Sequence, residues 1–231
     1  MPKSVETTSS VSLVKIVLFG SEGGFSKPVL MKLLAHGVSV SAVVMPGVAT
    51  TKKTDEPFPI TIQPATNINS LAGLATAHAV QVLRTQNIHD PQLLRQLSAL
   101  AADIMLVACF PLKIPKSIWQ LPRLASWNLH PSMLPRYRGP TPLFWQLHHQ
   151  ERNTGISLHE LTDQLDAGNI VAQQAHSLPT CTDAAKLNEW VAEMGVDLFL
   201  EAIQQCLREG LSPRIQDEAA ASYFPRPEVN E

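Results

Sequence analysis

Short apolar runs alternate along this chain with segments whose apolar positions recur every three or four residues. VKIVLFG, ending at Gly20, reads as a buried strand, because a strand covered on both faces is apolar throughout. Phe25, Val29, Leu30, Leu33 and Leu34 follow at helical spacing, and Gly37 is placed to stop that helix. VSVSAVVM at 38–45 predicts a second strand. Strand, helix, strand is the opening of a parallel α/β sheet. The rhythm breaks over 46–70, which is rich in Pro and Thr and carries Lys52 and Lys53. A connection of that length is read either as a mobile loop or as a functional one. The alternation then resumes: helix over 70–79, strand VQVLRT at 80–85, helix over 90–101, and DIMLVACF at 103–110, the strongest strand pattern in the chain. A short helix is predicted after Pro115, a strand LASWNLH at 124–130, and a helix over 140–150 with prolines in its first turn. GISLHELT (155–162) and IVAQQAHSL (170–178) pair through an Asp/Gly turn, and a long helix over 183–208 closes the core. The result is an α/β class with a mostly parallel sheet and helices on both faces.

Composition narrows what such a sheet could do. The 231 residues suit one domain, with 1–12 as a polar leader and 227–231 as a tail. Lys+Arg 18 against Asp+Glu 20 leaves a net charge of −2, so there is no global pull toward nucleic acid. The three cysteines, Cys109, Cys181 and Cys206, are odd in number and lack CxxC spacing, which argues against a disulfide framework or a zinc knuckle. A reducing, cytoplasmic setting is expected, with no membrane contact. Cys109 reads as a small buried hydrophobe, not a nucleophile.

Two clusters invite chemistry. Gly20-Ser21-Glu22-Gly23-Gly24 sits between a strand and a helix, where a phosphate loop would lie. It matches neither dinucleotide nor P-loop spacing, and Glu22 would repel a phosphate, so a plain turn is the favoured reading. No cluster has zinc-ligand spacing, and His159-Glu160 lacks the second His of a zincin motif, so no metal is expected. The second cluster runs from Asn128 to Gly139, NLHPSMLPRYRG. Asn128 and His130 share one face at the C-terminal end of a predicted strand, the edge where open α/β sheets bind ligands. An amide beside an imidazole suits oxyanion stabilisation and proton transfer; a capped strand end with a buried histidine is the alternative.

The whole string NLHPSMLPRYRGPTPLFW closely resembles the signature of the 10-formyltetrahydrofolate-dependent formyltransferases. The nearest branch is similar to the methionyl-tRNA formyltransferases and the related amino-sugar formyltransferase domains. A second element, TGISLH from Thr154 followed by Asp163-Gln-Leu-Asp166-Ala-Gly168-Asn-Ile-Val, resembles the family's TGVT…D…xDxGxI segment. The resemblance covers about 13 to 226 and implies a Rossmann-like formyltransferase fold. It implies Asn128, His130 and Asp166 as the catalytic set. It implies a folate pocket between Phe110, Leu112 and Ile114 on one loop and Asp163, Leu165 and Gly168 on another. Ser132, Arg136 and Arg138 are implied on the acceptor side: Ser132 supports the loop, and the two arginines face either an anionic acceptor or a solvated ion-paired surface.

The expected activity is formyl transfer from 10-formyltetrahydrofolate to a primary amine. Release of formate by hydrolysis, and a folate-binding module without turnover, are the alternatives. The purine-pathway phosphate loop of the family is not matched by FGSEGGFS, and no C-terminal β-barrel domain is expected. With net charge −2 and only Lys52 and Lys53 echoing the family's basic insertion, a small or nucleotide-linked amine is favoured over whole tRNA.

Overall fold

The computed structural model describes residues 11, 13–47, 67, 69–178 and 183–228. The strands are β1 (Lys15–Gly20), β2 (Ser39–Pro46), β3 (Gln81–Thr85), β4 (Ile104–Ala108), β5 (Ala125–His130), β6 (Asn153–Glu160) and β7 (Ile170–Ser177). They form one sheet in the order β3-β2-β1-β4-β5-β6-β7. The pairings from β3 through β5 are parallel, while β6 and β7 are antiparallel. Helices α1 (Ser26–Ala35), α2 (Leu71–Ala77), α3 (Pro91–Leu100), α4 (Lys116–Trp119), α5 (Pro142–His148) and α6 (Ala184–Glu209) connect and cover them.

The central strands are apolar throughout because both faces are covered. Ile16 and Leu18 of β1 join one core with Val29, Leu30 and Leu33 of α1 and Phe199 and Ile203 of α6. Val17 and Phe19, pointing the other way, join a second core with Leu93 and Leu97 of α3 and Ile118 of α4. The period-two alternation of a strand thus feeds two layers at once. Each fully buried Leu or Ile in them contributes about 1.5–3 kcal/mol relative to exposure.

Local chemistry explains the helix ends. Asp90 and Asp183 cap α3 and α6 by accepting from the Gln92 and Ala185 N–H groups. Ser70 caps α2, and Glu22 adds to that cap: its carboxylate accepts from Leu71 N–H at 2.8 Å and Ala72 N–H at 3.4 Å. Glu22 therefore anchors the glycine loop onto a neighbouring helix terminus, where negative charge is favoured. Val11 is buried in the first core although it falls within the stretch read as a leader. Residues 1–10, 12 and most of 46–70, including Lys52 and Lys53, lie outside the described residues, as does Cys181. Cys109 is exposed, not buried, because β4 ends at Ala108 and the chain turns there with φ 60° at Cys109. Among the described residues no helix is long and apolar enough to cross a membrane.

The parallel order reverses beside β1, with β2 on one side and β4 on the other. Ligands in open α/β sheets bind off the carboxyl ends at such a switch. β5, next to β4, ends at His130 on the same edge.

Candidate active site

His130 is the last residue of β5, and its neighbours fix its protonation pattern. Nε2 lies 2.8 Å from the Tyr137 carbonyl. A carbonyl only accepts, so Nε2 carries a hydrogen and Nδ1 is the variable nitrogen. Nδ1 faces Asp166 Oδ2 at 3.6 Å. Tyr137 reaches round because the loop after β5 folds back on itself. Ser132 Oγ donates to the Arg136 carbonyl at 2.8 Å, and Ser157 Oγ on β6 donates to the Ser132 carbonyl at 2.6 Å. Tyr137 itself has φ 61°, and Gly139 has φ 122°. A Cβ at Gly139 would come within 2.0 Å of the Phe224 carbonyl oxygen, so no other residue fits there.

Asp166 sits in the connection between β6 and β7 with φ 53°, a left-handed conformation uncommon for a residue with a side chain. Its Oδ2 accepts from Gly139 N–H at 2.8 Å. Burial by itself would raise its carboxyl pKa. The imidazoles of His130 and His159 and the Gly139 N–H outweigh burial and hold it at about 2. Burial pushes the His130 imidazole below its ordinary value, with the Asp166 carboxylate opposing. Asp166 is thus the standing negative charge of the site, and His130 titrates against it.

A third titratable group completes the cluster. His159 is 2% exposed, with Nε2 lying 3.6 Å from Asp166 Oδ1. Its Nδ1 lies 2.9 Å from the Glu160 carbonyl and so carries the hydrogen. In the neutral ring Nε2 is then an acceptor, and Asn128 Nδ2 donates to it at 3.0 Å. Asn128 Nδ2 also lies 3.5 Å from Asp166 Oδ1. In the sequence His159 stands out only as half of a zincin motif. The signal that finds it is register: β5 and β6 pair antiparallel with Asn128 opposite His159 and His130 opposite Ser157. Among the described residues, one ring nitrogen each of His130 and His159 and a carboxylate oxygen of Asp166 converge within 4.8 Å of one another.

The remaining predicted residues separate into core side chains, exposed loop positions and loop scaffold. Phe110 meets Phe19 edge-on at 5.2 Å, and Ile114 belongs to the second core, with Leu112 packed against it. Asp163 is exposed and Leu165 is 54% exposed on the connection between β6 and β7. Gly168 is buried, and a Cβ there would lie 1.9 Å from the Glu160 carbonyl oxygen. Ser132 is fully buried with its hydroxyl engaged in the loop, so it supports the backbone and presents nothing to an acceptor. Arg136 is exposed and paired with Glu151. Arg138 is clamped: Nη1 and Nη2 donate to Glu218 at 3.0 and 2.6 Å, and Nε and Nη2 donate to Gln216 Oε1 at 3.1 and 2.8 Å.

Known proteins share this sequence pattern and this architecture. The family described as formyl transferase matches residues 14–203. The methionyl-tRNA formyltransferase of Syntrophus aciditrophicus (strain SB) is 32% identical over 210 residues, covering 90% of this chain and 64% of that protein. The chain therefore spans under two thirds of that relative's length. Glycinamide ribonucleotide transformylase 1 from Symbiobacterium toebii superposes with a TM-score of 0.64 at 20% identity, covering 89% of this chain and 95% of that one. The N-formyltransferase from Helicobacter canadensis, in complex with folinic acid and dTDP-3-aminofucose, gives 0.62 at 20% identity over 93% of this chain and 71% of that one. The two structures share the fold, and the family match extends over most of the sheet and its helices. The chain belongs to the formyl transferase family.

Proposed function

We propose that this chain transfers a formyl group from 10-formyltetrahydrofolate to a primary amine, with Asn128, His130 and Asp166 as the catalytic residues. The observation that carries the reading is the meeting of the three side chains at one sheet edge, with Nδ1 of His130 facing Asp166 at 3.6 Å. The amine nitrogen bonds to the formyl carbon, and the carbonyl electron pair moves onto oxygen. Asn128 and protonated His130 donate to that oxyanion, and the carboxylate beside the ring favours the charged imidazole. The bond from carbon to folate N10 then breaks as the oxygen pair returns. N10 takes up a proton as the amine loses one, with Asp166 guiding the transfer, and the products are a formamide and tetrahydrofolate.

The folate lies, in this reading, between the loop carrying Phe110, Leu112 and Ile114 and the loop carrying Asp163, Leu165 and Gly168. The acceptor is a small or nucleotide-linked amine. What speaks against whole tRNA is charge: the net charge is −2, and Arg136 and Arg138 are both ion-paired within the chain. Glu22 places a carboxylate where a phosphate loop would sit. The test is a panel of amines, including an aminosugar nucleotide and methionyl-tRNA, incubated with 10-formyltetrahydrofolate and followed by tetrahydrofolate absorbance. The reading expects release that depends on an amine. Release at the same rate without amine would make the protein a hydrolase, and no release would remove the catalytic reading.

A further inference from the structure

Asp166 combines a left-handed backbone with a buried carboxylate, and something must hold it there. The Gly139 N–H holds only the carboxylate end. The backbone end is held by Gln216, 50 residues further on and 5% exposed. Its Nε2 donates to the Asp166 carbonyl at 2.8 Å and to the Gly168 carbonyl at 2.7 Å. Its Oε1 accepts from Arg138 Nε and Nη2 at 3.1 and 2.8 Å. Every hydrogen-bonding position of the amide is used, and the amide orientation follows from its partners: two carbonyls demand the NH₂ end and a guanidinium demands the oxygen.

The placement matters because of what the partners are attached to. Arg138 precedes Gly139, whose N–H grips Asp166, and follows Tyr137, whose carbonyl grips His130. Asp166 and Gly168 flank the turn that presents the carboxylate. One side chain therefore bridges the loop that carries the histidine's partner and the loop that carries the aspartate. The segment bearing it is itself tied down: Arg214 and Ile170 exchange backbone hydrogen bonds at 2.7 and 2.8 Å, and Glu218 takes the outer face of the Arg138 guanidinium.

We infer that Gln216, acting with Arg138, is a positioning residue that sets the Asp166 carboxylate opposite His130, and so tunes the proton transfer without touching substrate. The inference rests on the formyl-transfer reading above. Losing the bracket lets the turn relax away from its left-handed conformation, which is held only by its surroundings. A misplacement of about 1 Å in such a constellation costs on the order of 10²-fold in rate.

The experiment is Gln216→Met, which keeps size and charge but removes both donors and the acceptor. Charge neutrality matters, because His130 also faces His159 and lies in the field of Arg138, and neither changes. The expected result is a folded protein with kcat reduced on the order of 10²-fold and the acceptor KM within about twofold. The expected second sign is that the fall in activity at high pH, where His130 loses its proton, moves to lower pH, because Asp166 is what supports the charged ring. Titration of the His130 imidazole by NMR should move the same way, whether or not turnover is seen. Unchanged kcat, or a reduced kcat with an unmoved pH limb and an unmoved imidazole, overturns the inference and leaves Gln216 as a packing residue. Should Gln216→Met fail to fold, Arg138→Lys keeps the charge on Glu218 but loses the fork onto Gln216, and the same two signs decide. Wild-type protein without formyl transfer would defeat the functional reading itself, and the NMR titration would then decide the positioning role alone.

Discussion

Two loops at the same edge of the sheet make opposite use of their residues. The loop after β1 has the more suggestive sequence, with three glycines within Gly20 to Gly24. Its polar groups are nonetheless engaged within the fold. Ser21 Oγ donates to the Cys109 carbonyl and Ser26 Oγ to the Ala108 carbonyl, both at 2.6 Å, and Glu22 caps α2. The loop after β5 has one glycine and two prolines within 131–139, and it surrounds a buried imidazole that faces a buried carboxylate. Glycine reports what a backbone must do, whereas two titratable groups buried against each other cost stability and call for a reason. The second loop is where chemistry is expected, and the first ties β1 to its neighbours.

That contrast can be broken at either loop. The largest effect is expected at the histidine. His130→Ala should lose about 10²–10³-fold in turnover, the usual size for one oxyanion donor, with the thermal midpoint measured beside it to show that the fold survives. Near wild-type transfer would return His130 to a structural role. Asp166→Asn should reduce kcat and shift the high-pH limb to lower pH. The sign follows from the Asp166 charge raising the His130 pKa against burial. A limb that stays in place would show that the carboxylate does not govern the ring. His159→Leu removes the acceptor that orients the Asn128 amide. One buried hydrogen bond of about 1–1.5 kcal/mol corresponds to a loss of roughly tenfold in kcat. Glu22→Ala, on the first loop, should cost about 1 kcal/mol in a urea titration, as for a lost helix cap, and leave kcat unchanged. A large loss of turnover there would erase the distinction between the two loops.

The pair also predicts how stability depends on pH. His130 has a folded-state pKa below its unfolded value of about 6.5. The unfolded chain therefore takes up that proton first, and stability is lost as pH falls from about 6.5 toward the folded value. Asp166 works in a lower window: its contribution is complete above the unfolded pKa near 4 and is lost as pH falls through about 2. Urea midpoints taken between pH 7 and pH 5 should decline in the wild type and decline less in His130→Ala.

The periodicity alone predicts every strand, because those of the parallel part are short apolar runs ending at recognisable turns. It also places α6 within a residue at each end; in the structure Asp183 caps the helix and Gly210 closes it. Asn128 and His130 stand out as neighbours on a strand end, and Asp166 through its motif. What stays hidden is what depends on register or on long sequence separation. His159 enters the site only because β6 runs antiparallel beside β5. Gln216 enters because the chain after α6 returns to the sheet edge and binds across 50 residues. Arg138 looks like a ligand-binding arginine until Glu218 and Gln216 are seen around its guanidinium. Cys109 looks buried because the apolar run continues through it, but the strand stops one residue earlier.

The most direct test of the account is a single-turnover reaction of this chain with 10-formyltetrahydrofolate and an amine, with tetrahydrofolate and formylated product both quantified. The account predicts that the two appear in equal amounts in the wild type, and that His130→Ala and Asp166→Asn form neither at a comparable rate while still binding folate. Tetrahydrofolate formed without formylated amine, or product formed at wild-type rates by either variant, would contradict it.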